Sequence, residues 1–283
     1  KICFAAAKAV SEKPGRAYNP LLIYGETALG KTHLLQAIAN EVHQRRKRAK
    51  IEYITSEEFV NQYVEALQTK KLPSFRRRFR SLDLLLIDDI QFFEGKVGSS
   101  EEFFHTFNAL HNAHKQIVLA SDRMPQEIAG LEQRLVSRFE WGLSAEMLPP
   151  DLETRLAILR KKQERQTIKL SDEILYLLAD KIRSNIRNLE GALTRLIMNV
   201  SAFEGEMTLE RASELLADKF DQERSKMVTI DDIQRRVADY FDISRSDMMS
   251  KKRPKKIATP RMVAMYLSRK LTSESLPSIG ESF

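Results

Sequence analysis

Leu21-Leu22-Ile23-Tyr24-Gly25-Glu26-Thr27-Ala28-Leu29-Gly30-Lys31-Thr32-His33 is an apolar run, a glycine-bounded turn and the start of a helical pattern. That is the order strand, loop, helix. Gly25 and Gly30-Lys31-Thr32 fit the spacing G-x-x-x-x-G-K-[ST], in which backbone N–H groups surround a phosphate chain at a helix N-terminus. Glu26, Thr27, Ala28 and Leu29 form the body of this turn, and His33 follows it. Lys31 is expected to reach the β- and γ-phosphates, and Thr32 to offer its hydroxyl to Mg²⁺, a hard cation that takes oxygen ligands. A chance glycine turn between strand and helix is the alternative.

A second half of such a site is expected on a neighbouring strand, and Leu84-Leu85-Leu86-Ile87-Asp88-Asp89 supplies it. Four apolar residues suit a strand buried on both faces. They deliver two carboxylates at the C-terminal end, where open α/β sheets bind ligands. Asp88 is expected to hold the Mg²⁺ shell and Asp89 to orient or deprotonate the attacking water. Many such ATPases carry Glu at the second position, so the shorter Asp89 predicts slow hydrolysis.

The 283 residues, 42% of them hydrophobic, are enough for about two domains with buried cores. A single Cys3 excludes an internal disulfide, and no apolar run approaches the roughly 18 residues of a membrane span. A soluble, cytoplasmic protein is the expectation. With no initiator Met and no secretory leader pattern, Lys1 is expected to mark an engineered or proteolytic boundary. The net charge of +7 is local: Ser250 to Lys270 holds eight Lys or Arg and no acid. Such a patch is an electrostatic footprint for nucleic acid.

Along the chain, Phe4 to Ser11 and Lys31 to Arg45 read as helices, and Ile51 to Ile54 as a strand. Arg45-Arg46-Lys47-Arg48 is either a nucleic-acid contact or a solvated basic end complementing the helix dipole. Glu57 to Arg80 reads as helix broken near Lys71-Leu72-Pro73. Its Phe75-Arg76-Arg77-Arg78-Phe79-Arg80 could grip single strands. Periodicity favours the other reading, an amphipathic helix with Phe75 and Phe79 inward. Glu101 to His114 reads as helix, and its histidines His105, His111 and His114 lack the spacing of a zinc site. Gln116 to Asp122 is a third buried strand, and Glu132 to Phe139 places Arg134 and Arg138 on one helical face. After Pro149-Pro150 helices dominate: Asp151–Gln166, Ser171–Arg183, Asn185–Val200 and Thr208–Lys219. Arg187 near a helix start suggests an external anion. The third unit begins with a helix from about Asp218 to Met227, and Thr229-Ile230-Asp231-Asp232-Ile233 then opens a capped helix, Asp231–Phe241. A basic loop and a helix with Pro260 at its first position follow, and the unit ends as if cut short at Phe283.

With these segments in view, the chain resembles the DnaA family of bacterial chromosomal replication initiators, ATPases of the AAA+ class. The resemblance rests on Gly25–His33, Leu85–Gln91, Glu101–Leu110, Ser121-Asp122-Arg123, Arg134–Leu143, Arg183–Leu193 and Ser250–Arg261. It implies an α/β plus all-α chain: a P-loop parallel sheet flanked by helices over residues 1–148, a helical lid over 149–219, and a linker helix with an incomplete helix-turn-helix domain over 220–283. It implies ATP or ADP with Mg²⁺ as ligands. Asp122 resembles the first sensor, Arg187 the lid's second sensor, and Arg138 the arginine finger that reaches a neighbour's ATP, supported by Arg134. Glu57–Arg80 resembles the initiator-specific element facing single-stranded DNA, with Val64 toward it, which reverses the periodicity reading. Arg253 resembles a minor-groove arginine, with Lys251, Lys252 and Arg261 near phosphates. Ala28 departs from the family's usual Gly at a position where Cβ disfavours φ > 0. The family's recognition-helix signature is expected to follow Phe283 and is absent from this sequence.

The expected activity is initiation of chromosomal replication: binding duplex origin boxes, ATP-dependent head-to-tail assembly into a helical oligomer, and unwinding of origin DNA, with slow hydrolysis as the off switch. A non-closing head-to-tail contact gives a filament. Further expected partners are single-stranded DNA, the replicative helicase or its loader, and acidic phospholipid through an amphipathic contact at Lys219–Met227. The rivals are another AAA+ remodeller and a DNA-binding regulator with structural ATP.

Overall fold

A computed structural model describes residues 2–203, 206–226, 228–250, 254–272 and 274–283. The chain forms two compact units, one running to Ile158 and including Asn185–Gly191, the other comprising Leu159–Ser184 and Ala192–Phe283.

The first unit interleaves α1 (Ile2–Glu12), β1 (Leu21–Tyr24), α2 (Lys31–Arg45), β2 (Ile51–Thr55), α3 (Ser56–Gln68), α4 (Leu72–Arg80), β3 (Leu84–Asp88), α5 (Val97–Asn112), β4 (Gln116–Ser121), α6 (Gln133–Phe139) and β5 (Leu143–Glu146). The five strands are all parallel, in the order β2-β3-β4-β1-β5. Their apolar side chains alternate between two cores. Leu22, Leu85, Ile87, Ile117 and Leu119 face α3 to α6, and Leu21, Ile23, Leu84, Leu86, Val118 and Ala120 face α1 and α2. Burial on both faces explains the unbroken Leu84–Ile87 run. Because every strand points the same way, Tyr24, Thr55, Asp88 and Ser121 all end at one rim.

The α3 start is capped by Thr55, whose hydroxyl accepts from Glu58 N at 3.1 Å. Phe75 and Phe79 of α4 are buried around Phe59, with ring centroids 5.2 and 5.0 Å away. Arg76 and Arg80 pair with the buried Glu102 of α5 at 2.7 and 2.8 Å, and Arg78 pairs with Glu52 at 2.6 Å. The periodicity reading of this segment therefore describes its packing, while Val64 stays exposed on α3.

In the first unit, two elements differ from the sequence reading. Helix α5 begins at Val97 rather than Glu101, since Ser99 and Ser100 are buried and the Ser100 hydroxyl donates to Phe93 O at 3.3 Å. Strand β5 was not anticipated, because Leu143-Ser144-Ala145-Glu146 is short and only two of its residues are apolar. Gly142 just before it is obligatory: a Cβ there would lie 1.8 Å from Pro20 O.

Helices α7 (Leu152–Glu164), α8 (Asp172–Lys181), α9 (Ile186–Ala202), α10 (Leu209–Leu215), α11 (Ala217–Lys226), α12 (Ile230–Tyr240), α13 (Arg245–Met248), α14 (Lys255–Leu271) and α15 (Leu276–Glu281) follow. The expected Thr208–Lys219 helix is divided at buried Leu216 into α10 and α11. In the second unit Ile233, Val237, Ala238, Met248 and Ala264 form a small core. Thr229 and Asp232 cap α12 reciprocally, at 3.1 and 3.2 Å. Pro260 is not at a first helical position. Helix α14 starts five residues earlier, with Pro254 at its N-cap, and holds Pro260 buried inside it. The ring there costs one i→i−4 hydrogen bond. None of the described helices is long and apolar enough to cross a membrane.

Candidate nucleotide site and its arginines

The loop Gly25–Gly30 leaves the C-terminal end of β1 and delivers the chain into α2. Gly25 sits at φ 147° with Met147 O only 2.4 Å from where a Cβ would be, and Gly30 caps α2 at φ 104°. Ala28 adopts φ 63°, so the expected conflict between its Cβ and a left-handed backbone is present. Ala28 O accepts from Ile186 N at 3.1 Å, which ties the start of α9 to the loop one residue from Arg187, whose side chain is exposed.

Lys31 is 7% exposed and curls over the loop, donating to Gly25 O at 2.7 Å and Glu26 O at 2.8 Å. Burial pulls its ammonium below the usual lysine value, and the carboxylates of Asp89, Asp88 and Asp122 oppose that shift. Thr32 donates to Asp88 Oδ2 at 2.6 Å, so the hydroxyl and carboxylate named from two distant segments meet. Asp88 Oδ2 also accepts from the Tyr53 phenol at 3.0 Å, and Oδ1 accepts from Asp89 N at 3.0 Å. Burial first, and then the Asp88 charge, push the Tyr53 phenol up.

Asp89 adopts a left-handed backbone at φ 56°, and its carbonyl accepts from the Ser56 hydroxyl at 2.5 Å. Gln91 joins two expected site residues, donating to Asp89 Oδ1 at 3.0 Å and accepting from Asp122 N at 3.4 Å. Asp122 is clasped by its neighbour Arg123 at 2.8 and 2.9 Å. Tyr53 and Gln91 were not anticipated as site members. Their roles arise from contacts across the sheet and a 3-10 turn, and only the ending of β2 beside β3 hints at Tyr53.

The oxygen donors Thr32 Oγ1 and Asp88 Oδ2, at the mouth of a loop too tight for side chains at Gly25, fit a Mg²⁺ ion and a phosphate chain. Among the described residues no group of three or more His, Cys, Asp or Glu converges as a metal cage.

Arg134 and Arg138 lie on α6, away from this cluster. The turn after α6 enters β5 at Leu143, whose register partner is Leu21, the first residue of β1, whereas the phosphate loop follows Tyr24, the last. Arg138 is thus presented at the rim opposite the loop, its guanidinium 4.3 Å from the Trp141 ring and 5.7 Å from Phe104. Arg134 stacks on Phe104 at 5.0 Å and pairs with Glu132. Arg261, on α14, donates to Met248 O at 2.6 Å and to Ser250 O, closing the end of α13. Lys251, Lys252 and Arg253 lie outside the described residues.

Residues 1–146 match the family model described as the bacterial DnaA ATPase domain, and residues 230–283 match that of the bacterial DnaA helix-turn-helix. A chromosomal replication initiator protein DnaA from Methylacidiphilum infernorum is 52% identical over 99% of this chain, which spans 62% of that relative's length. Domain III of the Thermotoga maritima replication initiation protein DnaA shares 46% identity, with a TM-score of 0.73, 77% of this chain and 90% of that one being covered. A replication initiator DnaA bound to AMPPCP and single-stranded DNA shares 36% identity with a TM-score of 0.65, over all of this chain and 82% of that one.

Proposed function

Because the chain belongs to the DnaA family, we propose that it is the nucleotide-controlled core of a bacterial replication initiator that binds ATP, associates head to tail and opens origin DNA. Gly25 to His33 would wrap the phosphates, Lys31 exchanging loop carbonyls for phosphate oxygens. Thr32 and Asp88 would hold Mg²⁺, which supplies charge neutralisation of the phosphates when bound. Asp89, oriented by Gln91, would orient or deprotonate the attacking water, and Asp122 would sense the terminal phosphate with Arg187 contributing from α9. Hydrolysis would be slow and serve as the off switch.

One observation carries the reading. Arg138 lies near the end of α6, shortly before β5 starts beside Leu21 at the other end of β1 from the Gly25–Gly30 loop, a placement that supports a role toward a nucleotide held by another copy. A head-to-tail contact of this kind gives an open filament unless its rotation closes. Duplex origin boxes would be met by the basic segment holding Lys251, Lys252, Arg253 and Arg261, and single-stranded DNA by the α3–α4 element with Val64. Residues 1–148, 149–219 and 220–283 would act as base, lid and DNA-binding module. The helicase or its loader, acidic phospholipid and a place in the cytoplasm at the nucleoid complete the proposal.

Sedimentation of the protein with ATP, AMPPCP and ADP tests it. Larger particles with the two triphosphates are expected, and equal mass with all three ligands overturns it.

A further inference from the structure

Trp141 is 58% exposed, yet its ring is engaged by two other side chains. The Arg138 guanidinium lies 4.3 Å from its centroid, and the His111 ring stacks on it at 4.9 Å with 13° between planes. His111 in turn stacks on the buried Phe107 at 5.9 Å and 7°. The result is a ladder, Phe107–His111–Trp141–Arg138, that starts in the core and ends at a cation.

A flexible arginine is normally held by carboxylates, as Arg76, Arg80 and Arg134 are here. No carboxylate is paired with Arg138 among the described contacts, and its side chain lies over aromatic faces instead. A carboxylate would neutralise the guanidinium and compete with an incoming phosphate. An aromatic face restricts it while leaving its charge and all its N–H donors free.

We infer that Trp141 is a positioning residue for Arg138, holding the guanidinium extended and unneutralised at the surface for the triphosphate of a second copy of this chain, with His111 bracing the indole against the core. The inference rests on the assignment of Arg138 as the residue that reads a neighbour's nucleotide. It deepens that assignment by naming what sets the arginine's readiness: a pre-ordered side chain loses less freedom on binding.

Four variants in the full chain test this: Trp141→Phe, Trp141→Leu, His111→Ala and Arg138→Ala. Each is measured for ATP affinity and for the protein concentration at half-maximal ATP-dependent assembly. Trp141→Leu keeps apolar bulk and loses the ring face, so the half-maximal concentration should rise about tenfold with ATP affinity unchanged. Trp141→Phe should restore most of the loss and His111→Ala should show a smaller rise. Trp141 is the sole tryptophan of the sequence, so its fluorescence reports the stack directly: Arg138→Ala should change its emission in the ATP-bound, unassembled protein. If Trp141→Leu assembles like the native chain while Arg138→Ala does not, the positioning role is wrong and the reading of Arg138 stands. If Arg138→Ala assembles normally, the reading of Arg138 falls and takes the inference with it. If Trp141→Phe fails as completely as Trp141→Leu, or ATP affinity falls with assembly, Trp141 is structural and the inference is overturned.

Discussion

The Thr32 hydroxyl donates to Asp88 Oδ2 at 2.6 Å, although 56 residues of chain separate them. The contact crosses from the first turn of α2 to the end of β3 and joins the two halves of the proposed phosphate site. It also holds the oxygens that suit Mg²⁺ side by side.

Asp88→Asn should therefore erase a metal effect more than a fold effect. In the native chain, adding Mg²⁺ should tighten ATP binding about tenfold or more, and chelating it should reverse the gain. In the variant, titrations with and without Mg²⁺ should coincide.

Lys31→Met should weaken ATP about 10- to 100-fold, the range set by losing a charged hydrogen bond of roughly 1.5–3 kcal/mol. Equilibrium binding of a fluorescent ATP analogue measures it. Thermal unfolding without nucleotide should move little, since the amine is already penalised by burial.

Tyr53→Phe removes a phenol that donates to Asp88 at 3.0 Å, costing about 1 kcal/mol. The phenol's acidity gives a second signature. Its folded value is raised above the ordinary 10.0, so above about pH 10 the unfolded chain releases a proton that the folded one keeps. That contribution is full below the ordinary value and is lost as pH rises beyond it. Melting curves between pH 8 and 11 should fall less steeply for Tyr53→Phe than for the native chain.

Glu102→Gln leaves Arg76 and Arg80 without the buried carboxylate that both contact. Complete removal of one partner from a buried pair costs roughly 3–5 kcal/mol. Both arginines keep some water, so about 2 kcal/mol is expected, read as a lowered midpoint in urea unfolding.

The strand–turn–helix order at Gly25–Gly30, the buried strand ending at Asp88 and the helix break around Lys71-Leu72-Pro73 were legible because each is written in consecutive residues. Glycine spacing, an apolar run ending in carboxylates and a proline all carry local signals. Phe75 and Phe79 were legible for the same reason, their i, i+4 spacing marking one buried face. Tyr53, Gln91 and Trp141 were not, since each makes a contact across elements that consecutive residues do not reveal, to Asp88, Asp122 and His111 respectively. Strand β5 escaped because Ser144 and Glu146 interrupt it. Helix α14 was read as starting too late because Lys255-Lys256 looked like loop and Pro260 like a first helical residue.

Gly142 has a wider consequence. Its backbone is pressed against Pro20, and Leu143 N donates to Pro20 O at 3.1 Å, so the turn bearing Trp141 is bolted to the root of β1. On the proposed reading of Arg138, socket and plug are then cut from one tile. In an assembly of such tiles, each newcomer would inherit its orientation from the one before, and pitch would be set by the shape of a single protomer rather than by the play of its loops.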